Sequence, residues 1–424
     1  MISKEKVNIF FSTLLAYLIM VGFAVITTVF LPFGAEDTQL VTIPFRAFTL
    51  AIALIVLFLN INLKKRNNIY LTLLLVFFAL YIFRLFWSIT LVGDTVATHF
   101  PNHNQYYWLT IGVVFIPMLS MMYCYKKINV TLLFWTVLVS GLVVLLFTMQ
   151  ANTAIMQADA ATVRQAGNAA INTISYGHYA TMIALFSLYG LLFGNQRKYV
   201  NLIFIAGFLF AVFIVLRAGS RSPIVALVVI SVIMVFYKGK KKLTGMLFLA
   251  FLASLFLIFR NDIIMLINSF APIAIDRLEL MAEGDSSERD ILLKYAWNQF
   301  LDSPFFGRDF VIAHGIAAGE YPHNIIIESF MALGVLGGGI MLFLLIIASV
   351  QSLKLIKQRD IFALFAIIFI QRLILHMFSL AIYMGDIFFC LLALILCTKS
   401  KDYIQHDKSE NVSKYPVENS ERPV

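Results

Sequence analysis

Two arginines sit four positions apart in a short turn between two apolar runs, Arg217-Ala218-Gly219-Ser220-Arg221-Ser222-Pro223. Gly219 permits a tight turn, and Pro223 suits the first turn of the helix that follows. Two cations held so close repel each other unless an anion lies between them. A planar guanidinium matches phosphate oxygens in bidentate geometry and stays protonated at any relevant pH. At the depth of a membrane face, a lipid-linked diphosphate is the natural ligand for such a pair. The plainer reading is two arginines snorkelling toward water.

A second basic centre lies at Arg289. Ser287-Glu288-Arg289-Asp290 has the form of a capping box and predicts a short helix, with Leu292, Tyr295, Ala296 and Gln299 on one face and Pro304 ending it. Arg289 then stands in the first helical turn, where the helix dipole disfavours a cation. A bound anion would resolve this by meeting both the guanidinium and the free backbone N–H groups. An ordinary surface pair with Glu288 or Asp285 would resolve it as well.

The third centre is Tyr321-Pro322-His323-Asn324, followed by Glu328 and by glycines at 334, 337, 338 and 339. A histidine titrates near neutrality, so His323 at a membrane boundary suits a general base. The alternative is a boundary residue bonded to a lipid headgroup. The four glycines predict close helix packing. Arg46, Arg84, Arg372 and His376 fall inside apolar runs, where charge is costly and usually faces a cavity or a partner. Arg372 and His376, four apart, share one helical face. Arg46 lies near a run's end and is placed to snorkel.

The elements that must position these residues are membrane helices. The chain has 424 residues, 61% hydrophobic and 13% charged, with a mean hydropathy of +0.88, which excludes an ordinary soluble domain. Continuous apolar runs fit helices spanning a core of about 30 Å rather than the alternating strands of a β-barrel. Segmenting them predicts twelve spans, at 8–31, 41–62, 68–92, 108–125, 129–150, 176–194, 200–217, 222–237, 243–260, 324–350, 360–382 and 384–398. The first is read as a retained helix rather than a cleaved leader.

Basic residues occupy alternate loops: Lys64-Lys65-Arg66, Lys126-Lys127, Arg197-Lys198, Lys238 with Lys240 to Lys242, and Lys354 with Lys357 and Arg359. The positive-inside rule therefore puts both termini in the cytoplasm and the loop 261–323 outside. This topology accounts for most of the net charge of +9 without invoking nucleic acid. Arg164, Arg217, Arg221, Arg260, Arg277, Arg289, Lys294 and Arg308 are left on or at the external face. There they serve either loop solubility or an anionic substrate. Residues 1–398 form the transmembrane domain, and 399–424 read as a disordered cytoplasmic tail. The three cysteines lie in apolar runs, which argues against a disulfide framework, and neither a Cys-x-x-Cys pair nor an external Asp-x-Asp motif is present to hold a metal.

His323-Asn324, nine residues, Gly334, two residues and Gly337 resemble the signature of the O-antigen ligase and polymerase superfamily. Gly338 and Gly339 stand where members often carry threonines. Leu216 to Arg221 is similar to the family's Thr-Gly-Ser-Arg-Gly turn. Arg221 is the matching arginine, Ala218 replaces the threonine and Ser222 the glycine. Arg289-x-x-x-Leu293, with Trp297 and Ser303-Pro304-Phe305-Phe306-Gly307, resembles the family's loop segment. The three motifs occur in order on one expected face.

This resemblance implies a GT-C-like, all-α polytopic fold of the inner membrane. It implies transfer of a glycan from an undecaprenyl-diphosphate carrier to an acceptor outside the cytoplasm, without cofactor or metal. Arg221 and Arg289 would bind the diphosphate, and His323 would act as base. Asn324, Arg217, Arg164 and Arg372 are added as substrate contacts. The acceptor would be lipid A–core sugar for a ligase, slightly favoured by the motif spacing, or a second carrier-linked repeat for a polymerase. A flippase for the same lipids is the rival from another class, although transporters commonly show two related halves, and no repeat is seen here.

Overall fold

The computed structural model describes residues 3–31, 38–61, 68–92, 104–150, 154–156, 163–194, 197–238, 265 and 289–398. In chain order the helices are α1 (Lys4–Phe30), α2 (Gln39–Asn60), α3 (Ile69–Thr90), α4 (Gln105–Lys127) and α5 (Val130–Gln150). They continue with α6 (Thr173–Phe193), α7 (Lys198–Arg217), α8 (Arg221–Lys238), α9 (Arg289–Asp302), α10 (Ile325–Gln358), α11 (Ala363–Phe378) and α12 (Asp386–Cys397). Between α5 and α6, two three-residue strands, Ala154–Met156 and Val163–Gln165, pair antiparallel with Ile155 opposite Arg164. Sequence reading expects only a loop there.

Among the described residues, seven helices are long and apolar enough to cross a membrane: α1 to α5, α7 and α10. α8, α11 and α12 are apolar but shorter. The ninth expected span (243–260), the basic clusters at 64–66 and 240–242, Arg260, Arg277, the helix-capping residues before Arg289 and the tail 399–424 lie outside the described residues.

The short helices survive because they are interior. α12 rises only about 18 Å, and every residue from Phe388 to Cys397 is buried. Its sequence is apolar all round, as a fully enclosed helix requires. Its last turn leaves orphan carbonyls, and one of them, Leu396 O, accepts from Asn68 Nδ2 at 3.0 Å. The same Asn68 uses its Oδ1 to cap α3 through Tyr70 N–H at 3.0 Å. α11 is similarly enclosed from Ala363 to Arg372. Phe78 meets Phe389 edge-on at 4.8 Å, and Phe388 lies over Phe369 at 5.6 Å, so rings fill the space between α3, α11 and α12.

Contacts between elements separate the two ends of the bundle. At one end Lys127 reaches Glu5 at 3.1 Å, and Arg359 lies over Phe193. At the other, α9 packs on α10 through Ala296, Ile312, Ala317 and Met331, with Leu292, Tyr295 and Ile327 alongside. The face of 289–302 expected to be buried is therefore the one that packs.

Close packing is only part of what the glycines after His323 do. Gly334 interrupts α10 with φ 65° and ψ −163°, a region closed to side chains. The break frees backbone groups on both sides, and the segment 304–308 takes them up. Arg308 N–H donates to Met331 O at 3.0 Å, and Val335 N–H donates to Pro304 O at 2.7 Å. The two backbones approach so closely that a Cβ on Gly334 would sit 2.4 Å from the Phe305 carbonyl carbon, and one on Gly307 2.4 Å from that of Ala332. Gly338 lies against the Phe330 ring, whereas Gly339 faces open space.

Candidate functional site

Arg221, Arg289 and His323 come from three separate segments and meet at one end of the bundle. Arg221 opens α8 immediately after the turn that Gly219 makes with φ 60°. That turn is held against α6, where Thr181 Oγ1 donates to Pro223 O at 3.2 Å. Gly177 lets the two helices approach, because a Cβ there would stand 2.7 Å from Pro223 Cγ. Arg289 opens α9. Its guanidinium lies 5.9 Å from the centre of the Phe378 ring, at the end of α11. Burial, and after it the Arg221 charge, pull the Arg289 pKa below the usual arginine value. Two cations therefore share one partly desolvated place. An anion between them would relieve both the burial cost and the repulsion.

His323 occupies the left-handed region with φ 55°, a conformation uncommon for a side-chain-bearing residue. Pro322 precedes it, and Asn324 follows as the N-cap of α10. Asn324 Oδ1 accepts from Ile326 and Ile327 N–H at 3.1 Å each, and its Nδ2 donates to Met377 O at 3.3 Å. Asn324, expected among the substrate contacts, thus has its amide engaged in fixing α10 to the end of α11, beside Phe378.

The His323 ring packs 4.3 Å from that of Tyr321. Its Nδ1 is buried and has no hydrogen-bond partner among the described residues. Burial first, and the Arg289 charge second, lower its pKa below the normal histidine range. The imidazole is neutral at pH 7, the state a proton acceptor needs. Tyr321 itself is pushed up to about 12 by burial and by the Glu328 and Glu320 carboxylates. It packs on His323 as a neutral ring.

The other expected residues are distributed around this centre. Arg217 ends α7, lies 5.7 Å over its own Phe213 ring and is within electrostatic range of the Tyr176 hydroxyl, on the α6 side of the turn. Arg164 lies in the second strand of the hairpin. Arg372 is buried in α11 with Asp386 within electrostatic range. His376 Nδ1 stands 2.8 Å from Arg372 O, one turn back in its own helix.

Three supports were not legible in the sequence. Arg84, four residues short of the Ser88 position in α3, donates from Nη2 to Arg308 O at 3.0 Å and holds the docked segment from 224 residues away. Both oxygens of the buried Glu328 accept from Ile382 N–H at 3.0 Å, fixing the turn before α12. Behind Arg221, Ser222 Oγ lies 3.0 Å from His178 Nε2, and Gln371 Nε2 donates to His178 O. Each pairs residues distant in the chain, so local patterning carries no signal for it beyond the cost of a polar group in an apolar run. A cavity of about 1200 Å³ lies between α1 and α5 and is lined by none of the site residues.

A predominantly helical membrane protein with two partly buried arginines and a neutral histidine at one end is the class that fold and site define. Residues 206–344 match the family model described as O-antigen ligase. This stretch, about a third of the chain, resembles the family that the three sequence motifs point to, and it contains Arg217, Arg221, Arg289, His323, Asn324 and the docked glycines. No curated protein matches the chain.

Proposed function

We propose that the protein is a membrane glycosyltransferase. It moves a glycan from an undecaprenyl-diphosphate carrier to an extracytoplasmic acceptor in surface-polysaccharide assembly. The observation that carries this reading is the convergence of Arg221 and Arg289 beside a neutral His323, within the matched O-antigen ligase segment.

In the reaction, His323 accepts the proton of an acceptor hydroxyl as that oxygen bonds to the anomeric carbon of the donor sugar. The bond from that carbon to the diphosphate oxygen breaks, and its electron pair leaves on the diphosphate. Arg221 and Arg289 hold that growing negative charge in a place already organised for it. The proton held on His323 passes to water after product leaves. The guanidiniums supply the electrostatic work that a divalent ion performs in other glycosyl transfers.

The basic alternate loops support an inner-membrane protein with both termini cytoplasmic and the site on the periplasmic face. Residues 1–398 act as one transmembrane unit in this scheme. A ligase-type acceptor, lipid A–core sugar, is preferred on the His-Asn-x9-Gly-x-x-Gly spacing; a repeat-unit polymerase is the second reading.

A deletion strain carrying either wild-type protein or His323→Ala tests the proposal by gel analysis of surface glycan. The variant should accumulate in the membrane at the wild-type level and transfer nothing. Unattached long chains left on carrier identify a ligase, and single repeats on the core identify a polymerase. Donor that never reaches the outer face would instead identify a flippase and overturn the assignment.

A further inference from the structure

A second cavity, of about 330 Å³, opens beside the site and is lined by residues no motif includes. Its volume is that of a small-molecule site. Arg46 and Thr49 of α2, Asn172 and Ser175 at the start of α6, Arg372 of α11 and Asp386 of α12 supply its polar wall. Phe23, Phe45, Tyr179 and Tyr383 supply aromatic faces.

Two features mark it as built to receive something. Arg372 is buried, and its Nε lines up with no hydrogen-bond partner among the described residues. A guanidinium left so in a membrane helix is costly and is retained where a ligand or water-filled space completes it. Second, two of the helices that line the cavity leave α-helical geometry there. Leu18 to Gly22 in α1 and Trp108 to Phe115 in α4 are π-helical, and Leu18, Ile19, Met20, Leu109, Gly112 and Val113 all line the space. Such widened turns recur at functional sites because they redirect side chains at a cost in hydrogen-bond geometry.

Charge and position indicate the occupant. Asp386 lies within electrostatic range of both Arg372 and Arg46, so two guanidiniums face one carboxylate and the cavity is net cationic. The mixture of amide, hydroxyl, carboxylate and ring faces suits a saccharide, and the surplus cation suits one carrying an acidic group. The cavity is also one aromatic pair away from the base. Tyr383 lines it, its ring stands 6.4 Å from that of Tyr321, and Tyr321 packs on His323.

Arg221 and Arg289, already assigned to the donor, are not among the residues that line this cavity. We propose that this cavity is the acceptor subsite and takes a phosphate- or carboxylate-bearing sugar of the acceptor glycan. The proposal rests on the glycosyltransferase reading for the word acceptor, and on the cavity alone for the ligand class.

Binding, measured without turnover, separates the two. Purified protein in phosphatidylcholine nanodiscs is titrated with glucose 6-phosphate, glucuronic acid and glucose by ligand-observed NMR. The phosphate and the uronic acid should bind at least about tenfold more tightly than glucose, the scale of one charge-assisted contact. Arg46→Gln, at the partly exposed wall, should remove that preference, whereas Arg221→Gln should leave it intact. Arg372→Gln serves as a second probe if it folds.

Equal binding of glucose, or an Arg46→Gln variant that binds the acidic sugars as well as wild type, overturns the subsite. So does loss of binding in Arg221→Gln, which would merge the cavity with the donor site. Displacement of the sugars when the discs contain phosphatidylglycerol would make the cavity a phospholipid site and overturn the glycan assignment. Binding as predicted in a protein that shows no transfer would defeat the enzyme reading and leave the ligand class standing.

Discussion

At the scale of single residues, the proposed transfer rests on two cations that repel and one imidazole whose pKa is lowered by burial first and by the Arg289 charge second. Losing either cation removes a contact of about 3 kcal/mol to charge that develops only in the transition state, so Arg221→Gln or Arg289→Gln should cost about 100-fold in transfer rate. A pH profile tests the imidazole separately. Because burial and Arg289 both lower the His323 pKa, the rate should hold as pH falls to the normal histidine range and decline only below it. Removing the Arg289 charge lets His323 protonate more readily, so the residual activity of Arg289→Gln should lose its acid limb at higher pH than wild type. An unmoved limb would separate His323 from the proton transfer. These three residues could be read from sequence because each breaks a local expectation: a cation in an external turn, a cation at a helix start, a histidine at a boundary. Asn324 was equally visible, but its cap and its bond to Met377 O show why type and position alone do not assign a role.

At the scale of elements, the site depends on how α10 is broken. The spacing of Gly334 behind His323 was legible as a motif and expected only to pack helices. Its backbone conformation, and the docking of segment 304–308 into the break, require a partner some thirty residues upstream that periodicity cannot supply. Gly334→Ala would put a side chain into a region closed to it and against the Phe305 backbone, at a cost of at least about 2 kcal/mol. Thermal denaturation in detergent should show the loss, and transfer should fall with it. Gly339→Ala, facing open space, should change neither. If the two variants behaved alike, the break would not be what seats the loop. The short helix 289–302 shows the opposite case. Its buried face follows from local spacing alone, so the sequence predicted Leu292, Tyr295, Ala296 and Gln299 together, and the structure packs them against α10 or the loop beyond it.

At the scale of the whole molecule, apolar runs and alternating basic loops were enough to predict a polytopic helical protein. Length was less well predicted. α8, α11 and α12 are apolar but short, and α12 is enclosed by its neighbours rather than by lipid, a distinction composition does not carry. Topology remains directly measurable: reporter fusions after residue 302 should be active only outside the cytoplasm, and fusions after residue 358 only inside. The reverse pattern would put the arginines on the wrong side of the membrane for an external acceptor. The central claim, that Arg221 and Arg289 grip one diphosphate, is tested most directly by a double-substitution cycle on the transfer rate. Each change alone should cost about 100-fold, and Arg221→Gln with Arg289→Gln together should cost clearly less than the product, because both act on the same charge. Losses that multiply, or normal transfer by either single variant, would contradict the account.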